Sequence, residues 1–264
     1  MRINNLEDKL DGKIPITREE LIYLINSWGR LEEVEFNIGF DNKIKIDKCE
    51  AKECYDLSSL DVSQIRDMEN LFRFSLFNGD ISDWNISKVT NMGFMFYEAT
   101  YFNSEINNWN TSKVTNMSCL FYNAQNFNQP LNNWDTSNVT NMMFLFSKAI
   151  NFNRDISNWD VSKVKDMNCM FYFASSFNQD ISKWDVSNVT DMNSMFMGAR
   201  GFSQDISKWN ISKECFLKDI FNNAKAFIDK YNNSVEIPYH TEDFKIWFDN
   251  NKDKMNDLDI KDRY

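Results

Sequence analysis

A 25-residue period runs through most of this chain and limits what it can fold into. Tryptophan stands at 84, 109, 134, 159, 184 and 209, and phenylalanine at 77, 102, 127, 152, 177 and 202. Met92, Met117, Met142, Met167 and Met192 form another column, closed by Leu217. A second phenylalanine column runs from Phe96 to Phe221, and an alanine column from Ala99 to Ala224. A degenerate unit over 57–76 puts Leu57, Leu60, Val62, Ile65, Met68 and Phe72 into the same slots, one residue short. Several independent columns in one register describe a stack of like units, each too small to bury its apolar face alone.

Within a unit two periodicities follow each other. Ile181, Trp184 and Val186 read as a short strand with one buried face. Ser187 is placed to cap a helix, and Val189, Met192, Met195, Phe196 and Ala199 recur at spacings of three and four. The expected fold is therefore an α/β solenoid of 25-residue strand–helix units, with strands paired in a parallel sheet and helices on the other side.

The pattern I-x-x-W-x-V-S-x-V-T-x-M-x-x-M-F-x-x-A-x-x-F-N, carried by Ile181, Trp184, Val186, Ser187, Val189, Met192, Phe196, Ala199 and Phe202, resembles the BspA-like (DUF285) class of bacterial leucine-rich repeat proteins. The resemblance covers about residues 57 to 227. It implies a leucine-rich-repeat-like stack with the parallel sheet on its concave face. It also implies a role in adhesion and protein binding at the bacterial surface.

A stack needs capped ends. Residues 1–50 are expected to form an N-terminal α+β cap. There "PITREELIYLINSWG" reads as a helix with Thr17 and Glu20 at capping-box spacing and Gly29 to close it. "EVEFNIGFDNKIKID" reads as two strands around Asp41-Asn42. The repeats occupy 51–227. Residues 228–264 should form a helical cap through Phe244, Trp247 and Phe248, with a disordered charged end, "NDLDIKDRY".

Chemistry finds little purchase. The single histidine, His240, has no nucleophile or partner in reach of the sequence pattern. No phosphate loop or metal motif occurs, so neither an enzyme nor a cofactor is expected. The five cysteines are odd in number and lack a CxxC. Cys119 and Cys169 share a register with Phe94 and Phe144, which makes them fillers of an apolar slot. A net charge of −10 argues against nucleic acid and anionic membranes. The start "MRINNLEDKLDGKIPITREE" lacks a signal-peptide core, so a cytoplasmic location is expected unless an export route or a trimmed signal exists.

Binding residues are expected beside the buried tryptophans, where a strand would point them outward. One column is Asp83, Asn108, Asn133, Asn158, Lys183 and Lys208; the next is Asn85, Asn110, Asp135, Asp160, Asp185 and Asn210. Asp135, Asp160 and Asp185 would be stacked like charges. The expected function is a monomeric, non-enzymatic scaffold that holds a basic protein on the concave face, for instance to neutralise an intracellular toxin or effector. The alternative is a surface adhesin that binds host matrix or neighbouring cells. Asn103, Asn128, Asn153 and Asn178 read as a structural ladder that bonds backbone at a corner.

Overall fold

The structure, a computed structural model, describes residues 3–28, 33–39, 42–47, 57–231, 238 and 241–261. Its regular elements lie at the two ends: α1 (Leu6–Leu10), α2 (Arg18–Trp28), β1 (Glu33–Gly39), β2 (Asn42–Asp47), α3 (Lys225–Tyr231) and α4 (Thr241–Lys261). Between β2 and α3 the described residues contain neither a helix nor a strand.

The strand–helix unit and its parallel sheet are therefore corrected. Each 25-residue coil is built of turns. Over 181–186, the expected strand, the Trp184 amide donates to the Ile181 carbonyl and closes a turn. Ser187 caps no helix; its amide donates to Asp185 Oδ1, and Val189 N–H returns to the Val186 carbonyl. Over the expected helix the amides of Met195, Met197 and Ala199 return to Met192, Ser194 and Phe196, three residues back. The amides between them leave the coil: Met192, Ser194, Phe196 and Gly198 donate to Phe216, Lys218, Ile220 and Asn222 of the next one. A helix would spend all of these donors internally, four residues back.

This arrangement recurs between every pair of coils from Met68 to Gly198. Met117, Cys119, Phe121 and Asn123, for example, donate to Asn141, Met143, Leu145 and Ser147. One isolated parallel bridge marks each junction, through Asp67, Asn91, Asn116, Asn141, Asp166, Asp191 and Phe216. Four peptide groups per coil thus point their N–H toward the C-terminal end of the stack and their C=O toward the N-terminal end. Aligned peptide dipoles add, as they do along a helix. The carbonyls at the open N-terminal end meet a cation: Arg18 donates from Nε to Asp67 O (2.9 Å) and from Nη2 to Glu69 O (2.7 Å). Thr17 and Glu20 form the capping box that starts α2 and so places Arg18 there.

The core is a set of axial columns. Met92, Met117, Met142, Met167, Met192 and Leu217 are fully buried. Phe121 stacks on Phe127 of its own coil at 3.9 Å and on Phe146 of the next at 5.6 Å, and the same pairs recur along the stack. Each tryptophan from 84 to 209 is buried and donates its indole N–H to a backbone carbonyl of the preceding coil; Trp159 Nε1 bonds Leu131 O at 3.0 Å. The asparagine ladder forms as the sequence indicates. Oδ1 of Asn78, Asn103, Asn128, Asn153 and Asn178 accepts from the amide 25 residues later.

Near the N-terminus β1 and β2 pair antiparallel, with an irregularity between Asn37 and Gly39. Gly29 and the Asp41 side of their turn lie outside the described residues. At the other end Phe244, Trp247 and Phe248 of α4 are buried, and Phe244 packs on Phe221 of the last coil at 5.7 Å. The expected disorder after residue 255 is corrected as far as Lys261, because α4 continues to that residue.

Candidate functional site

All twelve residues singled out beside the tryptophans are exposed. They do not lie on a sheet, so the parallel sheet that was to present them on its concave face is not formed among the described residues. They lie on the turns that flank each buried indole. The column Asn85, Asn110, Asp135, Asp160 and Asp185 carries a local job. Each side-chain oxygen accepts from the amide two residues on, at 2.9–3.2 Å, and so folds the chain back after the tryptophan. Asparagine and aspartate both do this, which explains their exchange within the column. Asn210 is exposed at the last position.

The hydroxyl and amide of Ser137 hold Asp135 below the usual carboxylate range, against a small opposing field from Asp160. Ser162 does the same for Asp160, and Ser187 for Asp185. The three carboxylates therefore stay charged although they stand on successive coils. Lys163, one turn further on, helps both Asp135 and Asp160.

The other column is looser. Asn158 Nδ2 donates to Asn132 O (2.6 Å), and Asn133 N–H donates to Asn107 Oδ1 (3.0 Å). Asp83, Asn108, Lys183 and Lys208 make no hydrogen bond or ion pair among the described residues.

A third acidic column escaped the sequence reasoning. Asp80, Glu105, Asp155 and Asp180 stand exposed just before the buried Ile81, Ile106, Ile156 and Ile181. Asp80, Asp155 and Asp180 accept from the amides of Ser82, Ser157 and Ser182 at 2.9 Å. The repeated D-I-S tripeptide was the available signal. Asp205 continues the column but is buried. Three residues beyond the Asp135 column runs a partly basic one, Lys88, Lys113, Asn138, Lys163, Asn188 and Lys213. The coils thus present acidic stripes bordered by a partly basic stripe.

Catalytic groupings are not visible among the described residues. No set of three or more His, Cys, Asp or Glu side chains could hold a metal ion there. His240 lies outside the described residues. Burial pushes the Cys119 thiol up to about 12, Cys169 to about 11 and Cys215 to about 12, so none of these is poised as a thiolate. Cys119 and Cys169 are buried fillers, as their register indicates. No helix among the described residues is long and apolar enough to cross a membrane.

Fold and surface together define a protein of stacked, turn-built coils with charged stripes on its turns. The chain matches the family described as "Mycoplasma protein of unknown function, DUF285" over residues 42–149 and again over 126–234, more than half of its length. It belongs to that family. Comparison with curated proteins and with solved structures gave no match.

Proposed function

We propose that this protein is a non-enzymatic binding scaffold that holds a basic protein partner against its acidic turn columns. The observation that carries this reading is the series Asp135, Asp160 and Asp185. These carboxylates are exposed, carried on successive coils, and kept ionised by their own serine contacts. Asp155 and Asp180, five residues before Asp160 and Asp185 in the chain, extend the acidic surface. Coils repeat at about the 4.8 Å spacing of parallel backbones, so the carboxylates make a ruled line of charge. A partner with a lysine or arginine row would gain both association rate and register from it. Lys183 and Lys208 end the first column and would set the direction in which that partner lies. An intracellular toxin or effector with a basic active surface is one partner of this kind; covering that surface would neutralise it.

The test is affinity capture from native cell lysate, read by mass spectrometry, with Asp135→Asn/Asp160→Asn/Asp185→Asn as the control. Asparagine keeps the turn acceptor and removes only the charge. A basic protein held by the wild type, released by salt and not held by the variant supports the reading. Equal capture by both proteins sinks it.

A further inference from the structure

One surface breaks the template on which the rest of the stack is built. The register of Tyr97 reads Arg73, Tyr97, Tyr122, Ser147, Tyr172 and Met197 along successive coils, and that of Phe94 alternates large and small as Phe94, Cys119, Phe144 and Cys169. These rings are not core. Tyr97, Tyr122, Phe94 and Phe144 are half-buried, and Phe74 and Phe173 are 60% and 37% exposed. They hold one another: Tyr97 lies on Tyr122 at 4.5 Å and 4°, Phe94 meets Tyr97 at 5.6 Å, and Phe144 meets Tyr122 edge-on at 6.1 Å. Two cations frame the stripe. The Arg73 guanidinium lies 4.8, 5.7 and 5.0 Å from the ring centres of Phe74, Phe94 and Tyr97, and Lys148 Nζ lies 5.3 Å from that of Tyr122. Neither makes an ion pair with a carboxylate among the described residues. Glu98, beside Tyr97 and accepting from Asn123 Nδ2 at 3.4 Å, adds one carboxylate, so on a chain of net charge −10 this aromatic strip carries two cations against one anion. Tyrosine, phenylalanine and arginine are the residues that concentrate binding energy at interfaces.

We propose that this stripe binds a proline-rich segment in the polyproline II conformation, framed by acidic residues, at a surface separate from the acidic columns. Spacing carries the argument. Phe94 and Phe144 stand two coils apart, about 10 Å at 4.8 Å per coil. A polyproline II helix presents the same edge every third residue, about 9.3 Å. The short, buried Cys119 side chain between them leaves the place where a proline ring seats against both aromatics. Charge fixes the ends. Arg73 is in the first coil and Lys148 in the fourth, about 14 Å apart along the axis at that coil spacing. Five polyproline II residues span about 15 Å, so an acidic residue at each end of a four-proline run meets both cations. The carbonyls of such a segment have no internal partners, and tyrosine hydroxyls on the stripe can donate to them. The segment is already extended and loses little freedom on docking.

The test uses the full chain and a labelled, end-blocked peptide Glu-Pro-Pro-Pro-Pro-Glu, read by fluorescence anisotropy at low salt. Expected is saturable binding that falls at least tenfold when the four prolines become glycines, and at least tenfold when the two glutamates become lysines. Lys148→Glu lowers the affinity at least tenfold with an unchanged melting temperature, Tyr122→Ala does so as well, and Lys163→Ala leaves it unaltered. Should Tyr122→Ala not fold, Lys148→Glu decides. Three results overturn the proposal: no saturable binding by the wild type, equal binding of the glycine peptide, or a Lys148→Glu variant that binds as well as the wild type. Dimerisation through the stripe in place of peptide binding, seen by light scattering, also overturns it.

Discussion

Replacing Trp159 with alanine probes the middle of the stack. Trp159 is 3% exposed, stacks on Trp134 at 6.4 Å and 2°, and lies 6.0 Å from Phe146. Burial of a tryptophan removes roughly 200 Å² from water, about 5 kcal/mol at 25 cal/mol per Å². The alanine methyl keeps a small part of that, and the coils above and below close part of the hole. The indole N–H also leaves Leu131 O, but that carbonyl still accepts from the Trp134 amide, so this loss is only about 1 kcal/mol. The net cost is about 3–5 kcal/mol. Urea unfolding followed by circular dichroism measures it, with Trp159→Phe alongside. Phenylalanine retains most of the ring contact and loses the donor, so about 1–2 kcal/mol is expected for it. A loss below about 1 kcal/mol for Trp159→Ala would refute the reasoning, because a residue that far inside a close-packed column cannot be removed without cost.

Two further outcomes follow from local geometry. Burial raises the Asp166 carboxyl, aided by Asp191 and opposed by the Asn168 amide, so the folded state holds its proton more tightly than the unfolded chain. That preference stabilises the fold at low pH and is lost as pH rises from the unfolded value of about 4 through the higher folded one. Asp166→Asn, which copies Asn91, Asn116 and Asn141 of the same register, should therefore melt higher than the wild type by a margin that grows from pH 4 to pH 7; a constant margin would contradict the burial argument. Gly198 has φ of +72°, and a Cβ there would stand 2.9 Å from the Phe173 ring. Gly198→Ala should cost about 1–2 kcal/mol in urea unfolding, and adding Phe173→Ala should recover the steric part.

The core was legible in the sequence because burial repeats every 25 residues whatever the backbone does. Trp, Met and Phe columns fell where the period put them, and the Asn103 to Asn178 ladder was visible as a polar column with no solvent role. Secondary structure within the repeat was not legible, whereas the helices and the strand pair at the ends were. Met192, Met195, Phe196 and Ala199 are all buried, at spacings a helix would also give. What separates the two answers is where the amides go and the sign of φ. Phe94, Cys119, Phe144, Cys169 and Ser194 have φ of 54–57°, and Glu98, Asn123, Lys148 and Phe173 have 54–58°. Left-handed backbone is usually marked by glycine or asparagine; among these positions in the coils only Asn70, Asn123, Gly198 and Asn223 carry that mark. Contacts between coils impose it on the rest, and a single unit's sequence does not contain them. The acidic column beside the tryptophans was legible because it alternates with a buried ring. The aromatic stripe was not, because Phe94 and Phe144 were read with Cys119 and Cys169 as fillers of one apolar slot, and only the cysteines are buried.

The central structural claim is that these coils are tied to one another by amides that a helix would keep for itself. Scalar coupling across hydrogen bonds, measured by NMR on deuterated protein, reads this directly. The expected result is coupling from the Phe121 amide nitrogen to the Leu145 carbonyl carbon and from Phe146 to Met170, where the bonds are 2.9 Å. Coupling from Phe121 to Met117 and from Phe146 to Met142 would mean helices in the repeat and would contradict the account.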